Sequence, residues 1–162
     1  SLINEGIKKL YRSFEFKKVE YTYIKKATDD RVNHSRYPFI IFDKTQNKFA
    51  GSTSFLNISP PDDRLEIGAT WLGVEFQKTG LNRNCKYLLL SFAFETLGAE
   101  RVEFRTDERN VASRTAIEKM GGKLEGILRR HTVMHDGFRR NTYCYSILKE
   151  EWAQLKARFF AR

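Results

Sequence analysis

The sequence predicts an α/β (α+β) domain built on a mixed, mostly antiparallel central sheet flanked by helices. Three observations carry that reading: a run of three strand patterns up to about residue 74, two helical periodicities separated by a strand, and a closing pair of strands around an Asp-Gly turn. At 162 residues, against roughly 150 per domain, the whole chain is expected to form a single domain over 1–162, with no repeat, low-complexity tract or dividing linker.

The elements follow in order. Leu2, Ile3, Ile7, Leu10 and Tyr11 share one helical face and predict that the chain opens inside a helix. Residues 13 to 36 are polar and mixed; Phe14-Glu15-Phe16 and Val19-Glu20-Tyr21 hint only at short extended or helical pieces. Pro38 to Asp43 is a short apolar run, Lys44 to Lys48 a polar turn, and Phe49 to Ile58 a second run that Pro60-Pro61-Asp62-Asp63 ends, which reads as a hairpin. A third strand over about Arg64 to Val74 rests on the rough alternation of Leu65, Ile67, Ala69, Trp71 and Leu72 with Glu66, Gly68 and Thr70. Leu81, Cys85, Leu88, Leu89 and Phe92 then recur at helical spacing, and Gly98 stands where that helix should stop. A strand from Arg101 to Thr106 leads to a second helix, about Val111 to Met120, that begins beside Asn110 and ends at Gly121-Gly122. Strands near Leu124 to Met134 and Arg139 to Leu148 flank Asp136-Gly137, a strong hairpin turn.

Composition bounds the function. With 41% hydrophobic residues, 14% aromatics and three prolines, the chain can bury a core and lacks the makeup of a disordered or collagen-like polymer. Its longest apolar runs, such as Leu88-Leu89-Leu90, fall well short of the roughly 20 residues that cross a bilayer, so no membrane partner is expected. Cys85 and Cys144 show neither metal-ligand spacing nor the density of a disulfide scaffold. A reducing, cytoplasmic setting and no metal site are expected. The net charge of +9, from 29 Lys+Arg and 20 Asp+Glu, points to polyanionic partners. Those could be nucleic acid, an acidic surface or a phosphorylated small molecule, and charge alone does not choose; the cations are scattered among carboxylates, which favours a solvated mixed surface over a nucleic-acid stripe.

The most informative stretch is Gln77-Lys78-Thr79-Gly80-Leu81-Asn82-Arg83, where the chain leaves a strand, crosses a glycine-containing loop and enters a helix. Its physics is anion binding. The first N–H groups of a helix have no intrahelical acceptor, the helix dipole is positive there, and Gly80 allows close backbone approach. Lys78 and Arg83 add charge at the same end. The loop has neither the Gly-Lys-Ser/Thr of a Walker sequence nor the glycines of a dinucleotide fingerprint, and an ordinary strand-to-helix turn is the alternative.

Gln77-x-x-Gly80-x-Asn82 after three strands, followed by a strand and Asn110-x-x-Ser113, resembles the GNAT superfamily of acyl-CoA-dependent N-acetyltransferases, and within it the RimJ/RimL branch. Glu66-Ile67-Gly68 with Trp71-Leu72, Arg101-Val102-Glu103 with Thr106-Asp107, and Glu125-Gly126-x-Leu128-Arg129 match the same branch, over about residues 37 to 152. The resemblance implies a sheet splayed between its fourth and fifth strands, here about 64–74 and 101–107, with acetyl-CoA as co-substrate between them. It implies that Leu72, Gly73 and Val74 pair with the pantetheine arm, that Gln77, Lys78, Thr79, Gly80, Leu81, Asn82 and Arg83 hold the pyrophosphate, and that Asn110 fixes cofactor or loop. Family members begin with a further strand that is not found here, and often form homodimers.

The implied reaction is direct attack of a primary amine, from a protein N-terminus or a small molecule, on the thioester carbonyl. It needs an amine deprotonated by a base, a donor for the oxyanion near Leu72 to Val74, and a donor for the departing thiolate. Many family members use a tyrosine for the last role, at a position that is Ile117 here; the branch instead suggests Ser113. The branch's glutamate base aligns with Thr132, so Glu66 and His131 stand as the candidates, with a water chain and no single base as the alternative. A module that binds CoA or nucleic acid without catalysis is the competing class. Trp71, Phe55, Tyr143 and Tyr145 either line the acceptor side or fill the core.

Overall fold

The computed structural model describes residues 19–33 and 35–160. The helix expected over Leu2 to Tyr11 lies outside them. The order is α1 (Val19–Val32), β1 (Arg36–Asp43), β2 (Lys48–Ser59), β3 (Arg64–Leu72), α2 (Leu81–Ser91), β4 (Arg101–Asp107), α3 (Val111–Lys119), β5 (Lys123–Val133), β6 (Arg139–Leu148) and α4 (Lys149–Leu155). The strands form one six-stranded sheet in the order β1-β2-β3-β4-β6-β5. The β3/β4 pair is parallel, and β1/β2, β4/β6 and β5/β6 are antiparallel, so the expected mixed, mostly antiparallel sheet is present. Among the described residues no helix is long and apolar enough to cross a membrane.

The chain groups into two compact units, one of residues up to Ile58 with Ile67–Lys86, the other of Ser59–Glu66 with Tyr87 onwards. In the first, β1 and β2 form the expected hairpin, with Tyr37 opposite Phe55 and Phe39 opposite Thr53. Its turn is made by Asp43, whose Oδ1 accepts from the N–H of Thr45 at 2.8 Å and of Gln46 at 3.2 Å. Phe76, fully buried, packs with Ile41 and Ala50, and Leu72, Leu81 and Cys85 close around them. Phe55 is buried and meets Phe39 edge-on at 5.1 Å, a core role. β2 and the end of β3 approach so closely that a Cβ at Gly51 would stand 2.1 Å from the Trp71 carbonyl oxygen.

In the second unit, the start of β3 pairs with β4 over three positions, Arg64↔Arg101 to Glu66↔Glu103. Val102, Phe104, Tyr145 and Ile147 are buried on β4 and β6. The helix predicted to Leu97 is α-helical to Ser91, and then makes one wider turn over Phe92–Thr96. Leu89, Leu90, Ala93 and Phe94 face inward while Leu88 and Phe92 are exposed, so of the expected stripe Leu81, Cys85 and Leu89 pack inward and Leu88 and Phe92 do not. Phe94 stacks on Trp152 of α4 at 5.6 Å, and the indole N–H donates to Glu95 at 2.6 Å. Gly98 (φ 72) and Gly121 (φ 96) take the left-handed conformation that ends a helix, as placed from sequence. Two elements escaped the sequence reading: α1, held in its last turns by the Lys26–Asp30 pair at 3.0 Å, and the closing α4.

Candidate active-site residues

The first unit carries the turn singled out in the sequence. After β3 the chain makes a short 3-10 turn over Val74–Phe76, anchored by the buried Phe76 ring. Lys78 (φ 61) and Gly80 (φ 88) then adopt left-handed backbone conformations on the way into α2. Thr79 stiffens the turn, its hydroxyl donating to the Phe76 carbonyl at 2.8 Å and accepting from the Leu81 N–H at 3.4 Å. The Gln77 amide donates back to the Leu72 carbonyl at 3.2 Å. The first α2 hydrogen bond is Asn84 N–H to Gly80 O at 3.1 Å. Among the described residues, the N–H groups of Lys78, Thr79, Gly80 and Asn82 have no backbone acceptor. Four donors therefore collect where the helix dipole is positive. The Asn82 Oδ1 atom is buried in the same turn without a hydrogen-bond partner.

Along the preceding strand the three positions expected to face the pantetheine are not equivalent. The Gly73 N–H is already donated to the Ala50 carbonyl at 2.9 Å. The Leu72 carbonyl takes the Gln77 amide. Val74, 83% exposed, has an N–H that reaches no protein acceptor among the described residues. Ala69, inside β3 and just before these positions, has φ 47, a left-handed residue in the middle of a strand.

The second unit holds Glu66, Asn110, Ser113 and His131. Asn110 caps α3, its Oδ1 accepting from the Ser113 N–H at 3.0 Å, and its own N–H bonds the Asp107 carbonyl at 2.9 Å. The Ser113 hydroxyl, half-buried, makes no protein hydrogen bond among the described residues. Arg114, next to it, donates to the Glu108 carbonyl at 3.1 Å and lies 4.1 Å over the Tyr143 ring. Tyr145 is buried, with its hydroxyl on Glu118 at 2.8 Å, and burial is the largest cause raising its pKa. These anchors of α3 are invisible to a motif search, because they depend on which β6 side chains face the helix.

His131 and Asn110 are joined through the end of β4. Asp107 opposes Thr142 of β6, and the His131 Nδ1 lies 3.1 Å from the Thr142 hydroxyl and 3.2 Å from that of Thr132. The Thr142 hydroxyl also accepts from Arg140 Nε at 3.1 Å. Arg109 holds the Asp107 carboxyl below the ordinary aspartate range by a side-chain hydrogen bond. Glu66, buried, sits at the end of a chain of ion pairs: with Arg105 at 3.5 Å, then Arg105–Glu103 at 3.3 Å, Glu103–Arg101 at 2.9 Å, and Arg101–Glu125. Hydrogen bonding to Arg101 is the largest cause lowering the Glu125 carboxyl. Burial raises the thiol pKa of Cys85 and of Cys144, which leaves both poorly suited as nucleophiles.

The acetyltransferase (GNAT) domain family matches residues 12–123. A curated Bacillus subtilis (strain 168) protein, "Putative ribosomal N-acetyltransferase YdaF", is 31% identical over 102 residues, covering 63% of this chain and 55% of its own. The chain thus spans about half the length of that relative. Among solved structures, a GCN5-related N-acetyltransferase from Brucella melitensis superposes with a TM-score of 0.81 at 29% identity, over 88% of this chain and 63% of that one. A "putative acetyltransferase" from T. thermophilus gives 0.77 at 38% identity, over 88% and 74%. The left-handed turn into α2, the left-handed Ala69 in the strand before it and the Asn110 cap on α3 thus lie in a chain that belongs to the GNAT acetyltransferase domain family.

Proposed function

We propose that this chain transfers an acetyl group from acetyl-CoA to a primary amine, a protein N-terminal α-amine or a small-molecule amine, by direct attack within a ternary complex. The observation that carries the reading is the turn from Gln77 to Arg83. Its left-handed residues and its four N–H groups without backbone acceptors suit a pyrophosphate, in a chain of an acetyltransferase family. In this reading Val74, the first residue of the 3-10 turn after β3, offers its N–H to the pantetheine arm or to the thioester oxygen, since Gly73 is already bonded. CoA brings the acyl group as a thioester, and the chain's residues do the rest.

Ser113 supplies the hydrogen bond that the departing thiolate needs, which its uncommitted hydroxyl supports. Asn110 keeps the α3 N-terminus in place for it. His131 takes the amine proton. With its own proton on Nδ1, shared between the Thr142 and Thr132 oxygens, its Nε2 lone pair is left as the base. Glu66 is the weaker candidate, because its carboxylate is engaged by Arg105.

Acetyl-CoA should raise the melting temperature and be consumed, with free CoA released, against a panel of peptides and polyamines. Ser113→Ala is expected to lower kcat roughly 10- to 100-fold with little change in KM for acetyl-CoA. His131→Gln should lower kcat strongly with little change in KM for acetyl-CoA, while Glu66→Gln keeps most of the turnover. Binding without turnover over the whole panel would make this a CoA-binding module, and no binding would end the reading.

A further inference from the structure

Lys86 lies on α2, five residues beyond its first residue, and is only 6% exposed. Its Nζ donates to the Thr70 hydroxyl at 2.7 Å, and Thr70 is joined to Thr53 of β2 at 2.8 Å. No carboxylate among the described residues acts on it. β2 and β3 face it with hydroxyls, and the titratable group acting on it is Cys85, its neighbour on the same helix. Burial accordingly pushes the amine down to about 8. A buried cation without a counter-ion is costly to keep, and the mechanism above makes no use of it. Its position suggests what does. At 1.5 Å of rise per residue, Lys86 starts roughly 7.5 Å along the axis from Leu81, and its Nζ ends on Thr70, two residues before Leu72, whose carbonyl takes the Gln77 amide of the turn.

We propose that Lys86 is the buried counter-charge of the phosphate-binding turn, and that its protonation and acetyl-CoA binding are coupled. The proposal rests on the cofactor reading above. A diphosphate at the first turn of α2 supplies the missing negative charge through a poorly screened interior, and so favours the ammonium form. The ammonium, reciprocally, strengthens the hold on the phosphates. Near pH 8 the free protein carries a proton on about half of its Lys86 side chains, so cofactor binding should draw up to roughly half a proton from the buffer. Phosphate groups, with their last pKa near 6, are already ionised there and contribute little.

The test is calorimetric titration of the intact protein with acetyl-CoA at pH 8, in phosphate and in Tris, whose ionisation enthalpies differ. The wild-type protein should take up about 0.3 to 0.5 proton per cofactor bound, and its affinity should fall by roughly tenfold between pH 7 and pH 9.5. Lys86→Met should bind about tenfold more weakly at pH 7, take up no proton and show a flat pH profile. Lys78→Met, which removes an exposed cation of the same turn, should weaken binding yet keep the proton uptake. Tight binding without proton uptake in the wild type, or equal uptake in Lys86→Met, overturns the proposal and leaves the cofactor reading standing. Failure of acetyl-CoA to bind at all overturns both. The wild-type measurement alone decides the matter if the methionine variant does not fold.

Discussion

Replacing Lys86 by methionine should make the free protein more stable at neutral pH. The lysine pKa falls from 10.5 to about 8 on folding, so between those values the unfolded chain binds more protons than the folded one. Stability therefore rises with pH from about 8 toward 10.5, and the full penalty is present below 8. At 1.36 kcal/mol per pH unit, that penalty is about 3 kcal/mol. Methionine is unbranched and of similar length, so it fills the same space without a charge to desolvate. The substitution also removes the bond from Nζ to Thr70, worth about 1 kcal/mol, while Thr70 keeps its partner Thr53. The net gain at pH 7 is about 2 kcal/mol, or a rise in Tm of about 4–8 °C for a chain of this size. Thermal melts by circular dichroism, without cofactor, at pH 7 and pH 10 would show it, because the advantage should be largely gone at pH 10. A variant that melts at or below the wild type at pH 7, or whose advantage does not shrink with pH, would refute the account of Lys86 as a buried uncompensated amine.

Other substitutions probe the rest of the site. Gly51→Ala would place a Cβ 2.1 Å from the Trp71 carbonyl oxygen and 3.0 Å from the Leu72 Cα, backbone that cannot swing aside; a loss of about 3 kcal/mol in denaturant midpoint analysis is expected. Gly80→Ala meets no atom within 4 Å but must hold φ near 88, so it should lose about 1 kcal/mol and bind acetyl-CoA more weakly in the same titration. Asn110→Ala removes the cap bond to the Ser113 N–H and should cost about 1 kcal/mol by chemical denaturation, with kcat falling alongside.

What the sequence could disclose follows from how locally each feature is determined. The closing hairpin was legible because Asp136-Gly137 sets its own geometry: Gly137 takes φ 78, and the Asp136 carboxylate accepts from the Phe138 N–H at 3.0 Å. The turn into α2 was legible for the same reason, as a glycine and a helix start define an anion site with little help from the rest of the fold. α1 was not, because Ala27 is the buried residue along its second half and its pattern is nearly all polar. Lys86 was hidden by a better rule, that lysines on amphipathic helices face water. The inward side of α2 and of the turn after it runs through Lys86, Leu89, Leu90 and Ala93, and shares Leu89 with the stripe that the spacing suggests but leaves Leu88 and Phe92 exposed.

The catalytic side chains resisted for a physical reason that bears on the two base candidates. β5 and β6 slip register between Leu124 and Gly126 and again between Leu128 and Thr132, and Arg130 is left-handed at φ 51 within the second irregularity. Each irregularity shifts which β5 side chains share a face with β6, so counting alternate residues from a motif cannot tell where His131 points. In the structure the second one brings its ring to Thr142, opposite Asp107 at the end of β4, three residues before Asn110, the cap of α3. Glu66 needed no such accident; it lies on a regular stretch of β3 and is drawn into the Arg105, Glu103 and Arg101 ladder by simple cross-strand register. A carboxylate so placed is structurally committed, whereas an imidazole delivered by a bulge is held by two hydroxyls and otherwise exposed. That contrast is why the loss of turnover in His131→Gln, rather than in Glu66→Gln, is expected to report the proton-accepting step.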